Sequence, residues 1–204
     1  MRLRCLPAAV VIGAVAACIV APAMAPAHGT SGASEILPRT GPAPDFTLTS
    51  HEGTAFSTAG LRGRVVALNF VFTRCADVCP IATYKMVAIQ EALGDRFGRD
   101  VAFVSVTTDP DHDTPEVLAD YAKAFDADTS AWTFLTGPAA AVQDVARHYG
   151  VYYKRRGDGE IEHILLTSLI DRDGNLRVQY LGDRFDPDEM LHDLEKLIDE
   201  GSTQ

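Results

Sequence analysis

Apolar and polar positions alternate along this chain in blocks that switch between strand-like and helix-like periods. Val65 to Phe72 and Val101 to Val106 are near-continuous apolar runs rich in β-branched and aromatic residues. Such runs predict central strands covered on both faces. Between them Ile81, Tyr84, Val87 and Ala88 recur at helical spacing until Gly94. They predict a helix with those residues as its apolar face, and Pro80 suits its first turn. Thr114-Pro115 has the form of an N-cap and first helical residue, and Val117, Leu118, Tyr121, Ala122 and Phe125 make one face of the helix that follows. Trp132 to Leu135 is a short strand or connector, and Ala139 to Tyr149 a third helix. Tyr152 and Tyr153 begin an extended segment that turns at Arg155 to Gly159. Ile164 to Ile170 is a strand, Asp171 to Asn175 a hairpin turn, and Leu176, Val178 and Tyr180 alternate on the returning strand. Met190, Leu191, Leu194, Leu197 and Ile198 form the face of a closing helix. Upstream, Asp45 to Thr49, a turn at His51-Glu52-Gly53 and Ala55-Phe56 make a hairpin.

Strand–helix–strand–helix, then a hairpin and a helix, is an α/β layer arrangement. Two cysteines stand at the end of the first central strand, in Phe70-Val71-Phe72-Thr73-Arg74-Cys75-Ala76-Asp77-Val78-Cys79-Pro80. The expected class is therefore α/β: a thioredoxin-like fold over residues 45–204, with an added N-terminal hairpin and a hairpin insertion.

Residues 1–27 have the layout of an export signal. Arg2 and Arg4 form a basic start, Leu6 to Val20 is apolar, and Ala25-Pro26-Ala27 precedes His28. Two rivals stand beside cleavage. Val15-Ala16-Ala17-Cys18 resembles a lipoprotein box in which Cys18 carries the lipid. An uncleaved anchor is the other, although Pro7 and Pro22 leave a shorter helix than the ~20 residues a span needs. All three place the domain outside the cytoplasm, in the periplasm or on the outer face of the membrane. Residues 28–44, rich in Gly, Ala, Ser and Pro, have the composition of a flexible tether.

The 204 residues, 47% apolar, suit one domain plus that leader, and the net charge of -10 argues against nucleic-acid binding. Of four cysteines, Cys5 and Cys18 belong to the leader, which leaves Cys75 and Cys79 and no disulfide framework. A bridge between residues this close would remove little unfolded-state entropy, so a purely structural disulfide is the weak reading. At a helix N-terminus the local field favours thiolate over thiol. The pair therefore suits either disulfide chemistry or a soft metal.

Three residues lie between the cysteines, where thioredoxin-type exchange enzymes usually have two, and the wider spacing eases convergence on one ion. Those enzymes also set a proline loop before the third core strand, whereas this chain has no proline between Pro138 and Pro187 and carries Glu162-His163 at that place. Two thiolates and an imidazole suit copper, as Cu(I) or Cu(II). Zinc takes the same donors but wants a fourth. For His163 the alternative is a part-buried histidine bonded to backbone.

Over roughly residues 40–200 the chain resembles the Sco (SenC) family of copper-binding assembly factors for cytochrome oxidase. The resemblance is carried by Phe72 to Pro80, by Phe103-Val104-Ser105-Val106 with Asp109-Pro110 and Asp113-Thr114-Pro115-Glu116, and by His163. Ala76 stands where the family usually has proline, and Glu162 where it has aspartate. The resemblance implies one copper on Cys75, Cys79 and His163. The copper would be delivered to the copper A site of cytochrome c oxidase subunit II, or the pair would reduce that client's cysteines as a thiol:disulfide oxidoreductase. Another periplasmic copper chaperone or a thioredoxin-like reductant is an implied partner. Asp77 lies near the site by analogy, as a shaper of ligand electrostatics or a cap of the helix. Asp109 lies near it as a docking or polarity residue, or as ordinary turn chemistry. A peroxide-reducing role fits less well, because Phe72 occupies the place where a threonine precedes a peroxidatic cysteine.

Asp171-x-Asp173-Gly174-Asn175 has part of a calcium-loop spacing but lacks the remaining ligands, which favours a hairpin turn. Arg147, Lys154, Arg155 and Arg156 form a small basic patch, by default a solvated loop.

Overall fold

The two apolar runs lie side by side in the middle of an eight-stranded sheet. The computed structural model describes residues 37–76, 78–155, 161–163 and 166–200, with only the backbone of 154, 155 and 161–163. Its elements run β1 (Gly41–Pro42), β2 (Thr47–Ser50), β3 (Ala55–Ser57), β4 (Val65–Val71), α1 (Val78–Leu93), β5 (Val101–Thr107), α2 (Pro115–Ala124), β6 (Trp132–Thr136), α3 (Ala139–His148), β7 (Tyr153–Arg155), β8 (Ile161–His163), β9 (Leu166–Ile170), β10 (Asn175–Leu181) and α4 (Pro187–Glu200). The sheet order is β1-β10-β9-β4-β5-β6-β2-β3, and β7 pairs with β8 apart from it.

β4, β5 and β6 are parallel, and β9 runs antiparallel to β4 on its other side. All seven residues of β4 and all seven of β5 are buried. Their side chains serve two layers by the two-residue period of a strand. Leu68, Phe70, Val104 and Val106 pack with Val142, Val145 and Tyr149 of the α3 segment. Val65, Ala67, Val101 and Phe103 pack with α1, α2 and α4. The result is a mixed sheet flanked by helices, the thioredoxin-like α/β fold expected. The N-terminal hairpin is β2–β3, joined to the sheet through β6, and the inserted hairpin is β7–β8.

Buried polar groups fix strand order where the apolar runs are alike. Trp132 Nε1 donates to Ser105 Oγ at 2.8 Å, and Ser105 Oγ donates to Asn69 Oδ1 at 2.6 Å. This chain of bonds crosses β6, β5 and β4, and a slipped register would leave its members unpaired in the core.

Two expectations change. Ile81 and Tyr84 are 43% and 63% exposed and Ala88 is exposed as well, while Val87 is part-buried against the core. The buried face of α1 is Cys79, Ala82, Thr83, Met86, Ile89 and Leu93. The helix carries two apolar stripes, and periodicity cannot choose between them. Packing against α4 and the sheet chooses the stripe in phase with Cys79. The polar Thr83 is tolerated there because its hydroxyl bonds Tyr121 Oη at 2.8 Å.

The described part of the segment taken as a tether is attached to the domain. Thr40 N donates to Leu176 O and Ala43 N to Gly174 O, each at 2.9 Å, and β1 pairs with β10. Buried Arg177 donates to the carbonyls of Leu37 and Pro38 and pairs with Asp171 and Glu200. Composition alone does not reveal such backbone capture. Residues 1–36 lie outside the described residues, and with them the leader and Cys18. Among the described residues no helix is long and apolar enough to cross a membrane.

The Asp171 turn is a turn. Asp171 Oδ1 accepts from Asp173 N at 3.1 Å and Asn175 N at 2.8 Å, and Gly174 supplies the positive φ of 84°.

Candidate metal centre

In open α/β sheets, ligand sites form beyond the carboxyl ends of the strands where strand order reverses. Here the chain builds outward from β4 to β5 and β6, then returns to place β9 on the other side of β4. The carboxyl end of β4 is thus the switch point, and the Cys75 segment leaves from it.

Phe72 is buried at the strand's end, and Cys75 N donates to Phe72 O at 3.2 Å, closing a turn. Cys75 is half-buried in the connection, and Cys79 is fully buried as the second residue of α1. No disulfide joins them. Cys79 N donates to Cys75 Sγ at 3.3 Å, one of the otherwise unpaired N–H groups of a helix start. The hydrogen bond between the two sulfurs, and then burial, push the Cys79 thiol far above its ordinary range, against a smaller opposing effect of a backbone bond with Phe72. The inner sulfur therefore favours its protonated form, contrary to the thiolate expected at a helix start, because the neighbouring sulfur and burial outweigh the helix field there. Cys75 is the more exposed of the two. Soft donors this close, unbridged and partly open, fit a thiophilic ion, whose arrival would displace that proton.

β9 delivers its start to the same edge. Val66 stands opposite Ile170 and Leu68 opposite Ser168, so β9 begins at the carboxyl end of β4. His163 ends β8 three residues earlier, and three residues span at most about 11 Å. In the β7–β8 pair His163 is opposite Tyr153. Tyr153 packs against the core cluster that holds Cys79, as do Cys75, Val78 and Leu166. The imidazole of His163 lies outside the described side chains, and Asp77 outside the described residues. Among the described residues no three His, Cys, Asp or Glu side chains gather as a metal site.

The connection ahead of Cys75 is tied to the loop after β5. Arg74 Nε and Nη2 donate to Asp109 Oδ2 at 3.2 and 2.5 Å, and Asp109 is fully buried although the Arg74 side chain is 49% exposed. Asp109 thus belongs to the surroundings of the site. Sequence reasoning passed over Thr73, Arg74 and Asp113 as site residues. The polar pair Thr73-Arg74 after an apolar run is a signal for the first two, whereas the acidic residue ahead of Thr114 reads only as part of a helix start. Arg147 of the basic patch is paired with Asp144.

These elements recur in known proteins. The family model described as SCO1/SenC matches residues 37–199. The chain belongs to the SCO1/SenC family. A SCO2-like protein of Rickettsia conorii is 33% identical over 153 residues, 72% of each chain. Two SCO2-like proteins of other Rickettsia species are matched over 64% of their length. Among solved SCO1/SenC structures, Arabidopsis thaliana ScoI with copper bound superimposes with a TM-score of 0.69 at 29% identity, covering 78% of this chain and 98% of that one. BsSco, a Sco-family cytochrome c oxidase assembly protein in which a disulfide switch is identified, gives 0.69 at 25% identity, covering 78% and 95%.

Proposed function

We propose that this SCO1/SenC protein is an extracytoplasmic copper chaperone that holds one copper ion through Cys75, Cys79 and His163 for the copper A site of cytochrome c oxidase. The observation that carries the reading is the unbridged pair of sulfurs at the switch point, one buried and one half-open, joined by the Cys79 N–H to Cys75 Sγ bond. The structural likeness to a ScoI with copper bound supports the choice of metal. Two thiolates suit Cu(I), and an added imidazole also accommodates Cu(II). A half-buried Cys75 suits a site that takes up and releases its cargo.

The protein's own groups then have distinct tasks. α1 fixes Cys79 by burial and presents its N–H to Cys75. In this reading His163, at the end of β8, would supply the imidazole. The partner would be subunit II of the oxidase, with a second copper chaperone or a thioredoxin-like reductant upstream. Residues 1–27 would export or anchor the domain on the outer side of the membrane.

A second reading has its own support. The two thiols are adjacent, and a disulfide switch is identified in BsSco. In that reading Cys75 and Cys79 act as a thiol:disulfide reductant toward the client's copper-site cysteines. The test is Cu(II) loading of the reduced full-length protein followed by absorption spectroscopy. The chaperone reading predicts one equivalent of copper and a sulfur-to-Cu(II) charge-transfer band that is lost in Cys75→Ser, Cys79→Ser and His163→Ala. Absence of stoichiometric binding, with rapid disulfide exchange instead, would favour the reductant.

A further inference from the structure

We infer that Asp113 is a positioning residue for the dicysteine segment, holding Thr73 from the neighbouring loop and thereby setting where the Cys75 sulfur stands over the start of α1. The inference rests on the proposed use of Cys75 and Cys79 as the working pair.

Asp113 is fully buried and lies in the connection between β5 and α2. Three donors converge on its carboxylate. Thr73 N reaches Oδ2 at 3.1 Å, Thr73 Oγ1 reaches Oδ1 at 2.6 Å, and Thr107 Oγ1 reaches Oδ2 at 2.5 Å. Two bonds to one residue fix both the location and the rotation of Thr73. None of the three comes from α2, although Asp113 sits immediately before it. The capping of α2 falls to Thr114, whose side chain accepts from Val117 N at 3.4 Å. Asp113 therefore faces away from its own helix and toward the cysteine segment.

The loop that carries Asp113 is itself braced. Thr108 N donates to Val71 O at 2.8 Å, Asp113 N to Asp109 O at 2.9 Å, and Asp109 N to Thr107 Oγ1 at 2.9 Å. Thr107 Oγ1 is thus a relay that accepts from one aspartate's amide and donates to the other's carboxylate. Asp109 binds Arg74, so two consecutive residues before Cys75 are held by two buried aspartates. The next link is the Cys75 N to Phe72 O turn, which transmits the position of Thr73 and Arg74 to the sulfur. Cys79 is fixed from the other side by the buried face of α1. The separation of the two sulfurs is consequently set by two independent bodies, α1 and the β5–α2 loop. Buried, fully bonded carboxylates of this kind make such a setting stiff.

The experiment is the equilibrium of the Cys75–Cys79 pair with glutathione in the full-length protein. One protein disulfide and two glutathione thiols exchange for the protein dithiol and one glutathione disulfide, with two electrons and two protons transferred. Asp113→Asn places an amide against donors that a carboxylate accepts, and Thr73→Val removes one of the two bonds to Thr73. Both are expected to move the exchange constant at least tenfold, about 30 mV for a two-electron couple. Thr73→Ser keeps the hydroxyl and is expected to stay within twofold of the parent. Ser105→Ala, which breaks a core network away from the cysteines, is expected to lower the melting temperature and leave the constant within twofold. Folded Asp113→Asn and Thr73→Val proteins with the parent's constant would overturn the inference, as would an equal change in Ser105→Ala. If Asp113→Asn does not fold, the Thr73→Val and Thr73→Ser pair decides. A parent protein with neither exchange nor copper binding would instead refute the use of the cysteine pair, and the role of Asp113 with it.

Discussion

Alanine substitution at Met86 and at Ile81 separates the two apolar stripes of α1. Met86 lies seven residues after Cys79, two helical turns along, and is fully buried among residues such as Met190, Leu194 and Leu169. Truncating a buried methionine costs about 2–5 kcal/mol, through lost transfer free energy and a residual cavity. In a chain of this size each kcal/mol shifts the melting temperature by about 2–4 °C, so Met86→Ala is expected to melt roughly 5–20 °C lower. Ile81 lies two residues after Cys79, on the opposite side of the helix, and is 43% exposed. Its truncation loses little packing, and alanine's better helix propensity returns a few tenths of a kcal/mol, so the net effect is within about 0.5 kcal/mol of zero. Urea and thermal unfolding followed by circular dichroism measure both. Equal losses for the two variants would refute the phase of α1. Turning that helix would also carry Cys79 out of reach of Cys75, so the stability result bears on the site as well as on the core.

Further outcomes follow from charge. Asp100 is held below the usual carboxylate range by its hydrogen bond to Arg172, with Arg99 assisting and burial opposing. A depressed carboxyl gives stability that is present above its unfolded value, about pH 3.9, and is lost as pH falls through the folded value. Asp100→Asn is therefore expected to be less stable near neutrality and to lose less on acidification than the parent, as measured by urea midpoints from pH 7 to pH 3. The proton held on Cys79 must leave when copper binds. Apparent Cu(I) affinity, measured by competition with a chelator whose own protonation is corrected for, is therefore expected to rise about tenfold per pH unit for each proton displaced. A flat profile between pH 6 and pH 8 would mean that Cys79 is not a ligand.

What the sequence made legible follows from how local each signal is. The runs in β4 and β5 announce central strands because burial on both faces suppresses the polar alternation that would blur them. The turn at Asp171 and the cap at Thr114 are local chemistry, and both are found as expected. The phase of α1 was not legible, because Ile81, Tyr84 and Ala88 make as good a stripe as Ala82, Met86 and Ile89 until the sheet and α4 are placed. Capture of residues 40–43 by β10 was hidden for a related reason. Backbone hydrogen bonds leave no trace in a Gly- and Pro-rich composition. At the site, Cys75 and Cys79 were visible by spacing and by position after a strand. Asp113 was not visible as a site residue, because its bonds to Thr73 span forty positions and its neighbour Thr114 accounts for the capping signal.

X-ray absorption at the copper edge of the Cu(I)-loaded full-length protein, parent and His163→Ala, addresses the copper site most directly. Two sulfur donors and one nitrogen donor in the parent, with the nitrogen lost in the variant and the sulfurs kept, is the result expected from Cys75, Cys79 and His163. An unchanged spectrum in His163→Ala, or a parent with sulfur donors alone, would contradict the proposed centre.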